Sequence, residues 1–146
     1  MSKKVPFKTT LEVRDACLCL HVQRAARALG RRFDEALRPV GLTNGQFSLL
    51  MSLNRPQPPA LAPVAQLLAM DRTTLTAALK PLQRDGLVSV EVDPDDRRSR
   101  LLRLTDDGHA VLNRALPIWR STHAAIEAEL TTVTADAMRA ALMQLS

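Results

Sequence analysis

The chain is expected to fold as a mainly α-helical protein with a small β-hairpin wing: a winged helix-turn-helix domain flanked by terminal helices. Three observations carry that expectation. Two short helical stretches meet at the polar turn around Asp71-Arg72-Thr73-Thr74, a pair of alternating segments with an arginine-rich tip follows, and long amphipathic stretches lie on either side. In chain order, residues 1–40 read as an N-terminal arm and dimerisation helix, 41–105 as the winged helix-turn-helix DNA-binding domain, and 106–146 as C-terminal dimerisation helices.

Residues 1–9 are polar and basic and read as a mobile arm. From Leu11 to about Pro39 the apolar positions Leu18, Val22, Ala25, Leu29, Phe33 and Leu37 advance by three or four, which predicts one long helix with a single apolar side. Arg24, Arg27, Arg31 and Arg38 follow a second stripe, read as a solvated face. PVGLT breaks this helix, and Thr43 can cap the next one, NGQFSLLMSL, whose Phe47, Leu50 and Met51 are expected in the core. The linker NRPQPPA is stiffened by proline, a joint within a domain. Pro63 then falls in a first helical turn, where its missing N–H does little harm.

The module itself begins at AMDRTT. Asp71 can accept from the open N–H groups of a new helix, in which Leu75, Ala78, Leu79 and Leu82 form an apolar stripe. Arg72, Thr73, Thr76, Ala77, Lys80 and Arg84 lie off that stripe, so the outward face is cationic and hydroxylated. Gly86 ends the helix. Val88, Val90 and Val92 then alternate with Ser89, Glu91 and Asp93, and Leu102 and Leu104 mark one face of a second strand over Leu101 to Thr105. The tip between them, DPDDRRSR, holds Arg97, Arg98 and Arg100. A helix about 10–12 Å across fits a major groove, and a basic hairpin reaches phosphates or a minor groove. After the wing, Thr105 with Asp106 and Asp107 can start another helix, striped by Leu112, Leu116, Trp119, His123, Ile126 and Leu130 and kinked at Pro117. A last helix, capped near Thr134, carries Met138, Ala141, Leu142 and Leu145.

The stretches AMDRTTLTAALKPLQRDGLV and DPDDRRSRLLRLTDDG resemble the recognition helix and wing of the MarR family, the multiple-antibiotic-resistance regulators, and GLTNGQFSLLMSL resembles that family's second helix. The pattern Asp96, Arg98, Leu104, Thr105, Gly108 is its most specific part. The resemblance implies that Arg98 enters the minor groove and that Asp96 helps to hold it. It also implies a homodimer, and a small aromatic or anionic effector bound between the dimer helices and the winged module. Two positions depart from the family pattern: Ala77 stands where a basic residue is frequent, and Pro81 lies inside the recognition helix, where it should bend or loosen the turn.

The resulting expectation is a homodimeric transcriptional repressor that binds a pseudo-palindromic operator in double-stranded DNA, its two reading helices about 34 Å apart. Arg72, Thr73, Thr74, Thr76 and Lys80 would address the major groove, Arg98 the minor groove, and Arg97 and Arg100 the phosphates, with Asp96 orienting Arg98. The effector would meet Leu20, Phe47, Met51, Leu116, Trp119 and His123. A formal net charge of +5 favours a polyanionic partner, and with aromatic residues at 3% and no Tyr there is little to build a single-strand stacking platform. No segment has the roughly 18 apolar residues of a membrane span, and MSKKVPFK leads into no signal-peptide core, so a cytoplasmic protein without a membrane partner is expected. His21, His109 and His123 are not spaced as metal ligands; no enzyme, metal or cofactor is expected.

Cys17 and Cys19, both placed in the first helix, would point about 200° apart and could not readily pair. By resemblance, Cys19 falls where the organic-hydroperoxide-sensing branch of the family keeps its reactive cysteine, although the tyrosines of that branch are replaced by residues such as Gln23 and Phe33. Thiol-based sensing through Cys19 is therefore one alternative to a ligand signal. The other, from a different class, is a winged-helix module used for protein assembly without reading DNA.

Overall fold

The computed structural model describes residues 2–146. Among these, seven α-helices and one antiparallel hairpin follow in the order α1 (Phe7–Ala16), α2 (Leu18–Leu37), α3 (Asn44–Leu53), α4 (Leu61–Leu67), α5 (Arg72–Arg84), β1 (Val88–Val92), β2 (Arg100–Leu104), α6 (Asp106–Glu129) and α7 (Ala135–Gln144). A 3-10 turn over Arg38–Val40 links α2 to α3, and Gly41 leaves it in the left-handed conformation at φ 75°.

The expected single N-terminal helix is two helices. Cys17 is extended, at φ −72° and ψ 109°, and caps α2 with its thiol, which accepts from the Leu20 N–H at 3.4 Å. Its carbonyl meanwhile accepts from His21 Nδ1 at 2.7 Å. These contacts offset the interrupted helix ladder, and neither glycine nor proline is involved. The basic arm is also shorter than expected, because the helix already starts at Phe7.

Side-chain caps set most other helix starts, because the first N–H groups of a helix have no partner within it. Thr43 and Gln46 form a reciprocal capping box on α3, while Thr105 accepts from Gly108 N–H at 3.0 Å and Thr134 from Ala137 N–H at 3.1 Å. A second tie at the start of α3 was not anticipated. Asp34 on α2 accepts from both the backbone N–H and the side-chain amide of Asn44, at 2.7 and 2.8 Å, and these bonds hold its carboxyl below the usual aspartate range.

The core joins every layer. Leu37 of α2, Leu49 and Leu50 of α3, Val64 of α4, Leu75 and Leu82 of α5, Leu102 of β2 and Ala115 of α6 are all at or below 1% exposure in one continuous cluster. Phe47 and Leu50 are buried as expected, but Met51 is 37% exposed, and Leu49 and Leu53 take the inward positions instead. In the hairpin Val88 pairs with Leu104, Val90 with Leu102 and Val92 with Arg100. Leu102 and Leu104 are buried, yet the valine alternation fades outward: Val88 is buried and Val92 is 52% exposed, because the hairpin projects beyond the helices. The proline linker adds a bridge to this sheet. Leu102 N–H donates to Pro59 O at 2.8 Å, and Ala60 pairs with Leu101.

Pro81 and Pro117 lie within α5 and α6, and both helices continue as single elements to Arg84 and Glu129. The carbonyls left without a donor belong to Ala77 and Asn113, both exposed, so water can satisfy them.

Candidate nucleic-acid interface and effector groove

The second helix of the helix-turn-helix, α5, is fixed at both ends. At its start the Asp71 carboxylate accepts from Thr74 N–H at 2.7 Å and from the Thr74 hydroxyl at 3.0 Å, which holds the Asp71 carboxyl below the usual aspartate range. At its end Gly86, at φ 73°, closes a Schellman motif: Leu87 N–H donates to Leu82 O at 2.9 Å and Gly86 N–H to Gln83 O at 3.0 Å. The same motif ends α4, where Met70 N–H donates to Ala65 O at 2.9 Å and Ala69 N–H to Gln66 O at 3.2 Å. There the left-handed residue is Ala69, at φ 51°, the one non-glycine residue with positive φ among those described.

Leu75, Leu79 and Leu82 anchor the inner face of α5, and Arg72, Thr73, Thr74, Thr76 and Lys80 are exposed on the outer one. The Thr74 hydroxyl is already donated to the cap, so it retains only acceptor capacity toward an outside group.

The wing tip is shaped by its aspartates. Asp93 accepts from Asp95 N–H at 2.9 Å, and Asp96 accepts from Arg98 N–H at 3.0 Å while its own carbonyl takes Ser99 N–H at 2.9 Å. Asp96 thus holds the backbone of Arg98 rather than its guanidinium. The Arg97 and Arg98 side chains are exposed, and neither guanidinium has a hydrogen-bond partner among the described residues. Arg100 differs, for its guanidinium folds back onto Arg97 O at 3.1 Å and Ser99 O at 3.2 Å.

The wing is locked to the body where α6 begins. The Thr105 hydroxyl donates to Gly86 O at 2.6 Å, and Thr105 N–H donates to Leu87 O at 3.1 Å. Gly108 is required by this close approach, because a Cβ there would lie 2.2 Å from Leu87 O.

An open groove of about 380 Å³ is lined by Phe47, Ser48, Met51 and Ser52 of α3, Leu67 of α4, and Leu116 and Trp119 of α6. Of the six positions expected to meet an effector, Phe47, Met51, Leu116 and Trp119 line it. His123 extends the wall, its ring stacked on Trp119 at 4.9 Å, and Trp119 stacks toward Phe47 at 6.2 Å. Leu20 is not part of the lining, and Ser48, Ser52 and Leu67 were not anticipated. Leu67 is on a helix of seven residues, too short to display a period.

Cys17 is half-buried at the break between α1 and α2, whereas Cys19 is exposed in the first turn of α2; both are free thiols. Because Cys17 is not helical, the 200° separation expected for the pair does not describe it. Among the described residues, no helix is long and apolar enough to cross a membrane.

A helix-turn-helix followed by a hairpin locked against it defines a winged helix-turn-helix protein. The MarR family profile matches residues 42–99. The crystal structure of the M. tuberculosis regulator MosR in complex with DNA superposes with a TM-score of 0.81 at 38% identity, covering 88% of this chain and 92% of that one. BpsR of Bordetella bronchiseptica, a protein whose DNA binding is regulated by 6-hydroxynicotinic acid, has a TM-score of 0.73 at 26% identity, covering 89% and 90%. The transcriptional activatory protein BadR of Rhodopseudomonas palustris is 33% identical over 97 residues, which are 64% of this chain and 55% of BadR. The chain thus spans little more than half the length of that curated relative. It belongs to the MarR family of transcriptional regulators.

Proposed function

We propose that two copies of this chain bind a pseudo-palindromic site in double-stranded DNA and repress transcription in the cytoplasm until a small molecule enters the groove, with residues 41–105 reading DNA and the segments 1–40 and 106–146 holding the dimer. The observation that carries this reading is the joint exposure of Arg72, Thr73, Thr76 and Lys80 on α5 and of Arg97 and Arg98 at the wing tip, on two elements locked together by Thr105. Threonine hydroxyls and cations on a helix suit base edges and phosphates, while a free guanidinium on a turn held by Asp96 suits a minor groove. Thr74 acts mainly as part of the cap, and Arg100 braces the wing before it meets a phosphate.

The second copy is favoured by the apolar surface left on the terminal helices. Phe7 is 72% exposed, Leu18 69%, Met143 72% and Leu145 62%, more apolar area than a single protomer would leave in water without a partner. A bound effector would release DNA by preferring a dimer whose reading helices no longer match successive major grooves. The exposed thiol of Cys19 favours oxidation as a second route to the same release.

Fluorescence anisotropy on a duplex taken from upstream of the chain's own gene, against a scrambled duplex and across a salt series, tests the reading. A specificity gap of roughly 10³ or more, with log K falling by about 0.9 per neutralised phosphate against log salt, is the expected result. Absence of binding even at low salt would favour an assembly module instead.

A further inference from the structure

We infer that the groove between α3, α4 and α6 selects an uncharged planar aromatic molecule and rejects the corresponding carboxylate; this rests on the reading of that groove as the effector site. Its lining includes Phe47 and Trp119, whose rings are inclined at 19° to one another, and His123 stacks on Trp119, again at 19°. Met51, Leu67 and Leu116 complete the walls, and Met51 and Leu67 are 37% and 63% exposed, leaving apolar surface that a flat ligand would cover. A volume of about 380 Å³ is at the small end of the range for small-molecule sites.

The polar inventory decides the charge. Among the described residues no lysine, arginine or carboxylate lines the groove, and its two hydroxyls belong to Ser48 and Ser52. Ser52 already donates to Leu49 O at 2.6 Å, so Ser48, exposed at the rim, supplies the remaining donor. His123 lies beyond Trp119, with Nδ1 3.5 Å from the Glu127 carboxylate, which also pairs with Arg139 at 2.9 Å. A carboxylate entering the groove would give up hydration without meeting a lysine or arginine among the lining residues. An amide, ester or phenol can use the Ser48 hydroxyl and lay its ring against the apolar lining without that cost.

The isosteric pair 2-naphthamide and 2-naphthoate separates these cases, titrated into the full chain by isothermal titration calorimetry at neutral pH. The amide is expected to bind at least tenfold more tightly than the carboxylate. Met51→Lys, at an exposed groove position, should reverse the order by supplying the missing cation. Equal or tighter binding of naphthoate to the unaltered chain would overturn the inference, as would failure of both compounds to bind. Operator affinity without either compound is measured in parallel. Retained DNA binding with no amide binding overturns this inference alone, whereas amide binding without DNA binding overturns only the proposed function.

Discussion

Three residues carry separable tasks. Arg98 is presented by a turn that Asp96 holds through the backbone, and its guanidinium has no hydrogen-bond partner among the described residues. Arg98→Ala should therefore weaken operator binding about tenfold or more and leave thermal unfolding unchanged; an unaltered affinity in the anisotropy assay would refute the role given to the wing. Asp71 caps α5 as a carboxylate, with its pKa lowered first by the Thr74 backbone N–H and then by the Thr74 hydroxyl. A group depressed in the folded state stabilises above its unfolded pKa, and that contribution is lost as pH falls through the folded value. Asp71→Asn keeps a capping oxygen but cannot titrate, so its thermal midpoint should fall less steeply than the parent's below the ordinary aspartate pKa; parallel curves would exclude Asp71 as a source of the acid sensitivity. Gly108 has no room for a side chain, with Leu87 O 2.2 Å from the position of a Cβ. Gly108→Ala should cost on the order of 3 kcal/mol in urea unfolding, because a backbone carbonyl must shift and the Thr105 bonds shift with it.

At the scale of elements, the helix-turn-helix is made by two Schellman motifs in succession, one before α5 and one after it. The second uses Gly86, where a positive φ is easily adopted, while the first places Ala69 at φ 51°. Ala69→Gly should relieve roughly 1 kcal/mol of this strain and raise the thermal midpoint by about 2–4 °C, less whatever glycine adds to the freedom of the unfolded chain. A lower midpoint in calorimetry would mean that the turn is better specified by alanine. The same elements explain why Pro81 is accommodated. Leu75, Leu79 and Leu82 hold α5 against the core from one side, and the orphaned carbonyl of Ala77 is on the other.

At the scale of the molecule, one protomer leaves its ends uncovered. Among the described residues, α1 and α7 contain no buried residue, and Leu142 and Leu145 are 44% and 62% exposed. α2 and α6 are tied near their ends by the exposed Arg32–Glu129 pair at 2.6 Å, a contact of modest worth in water. A Leu142→Glu, Leu145→Glu double variant should sediment as the 16.1 kDa monomer and lose operator affinity by tenfold or more, since two half-sites then bind separately. A dimer persisting at micromolar concentration would move the interface away from α7.

The amino-acid sequence by itself determined what depends on neighbours three or four positions away: the caps of Asp71, Thr43, Thr105 and Thr134, the apolar stripe of α5, the stop at Gly86 and the hairpin with its arginine tip. These follow from local N–H groups seeking acceptors and from a fixed helical period, so they are legible before any packing is known. Features that depend on distant partners emerge from packing. The bridge from Ala60 to Leu101, the two bonds from Asn44 to Asp34, the contact that requires Gly108 and the replacement of Leu20 by Leu67 in the groove belong to this second group. No period or spacing encodes most of them, because each arises where groups remote in sequence, or on opposite sides of a turn, compete for the same few ångströms of space or the same hydrogen-bond acceptor.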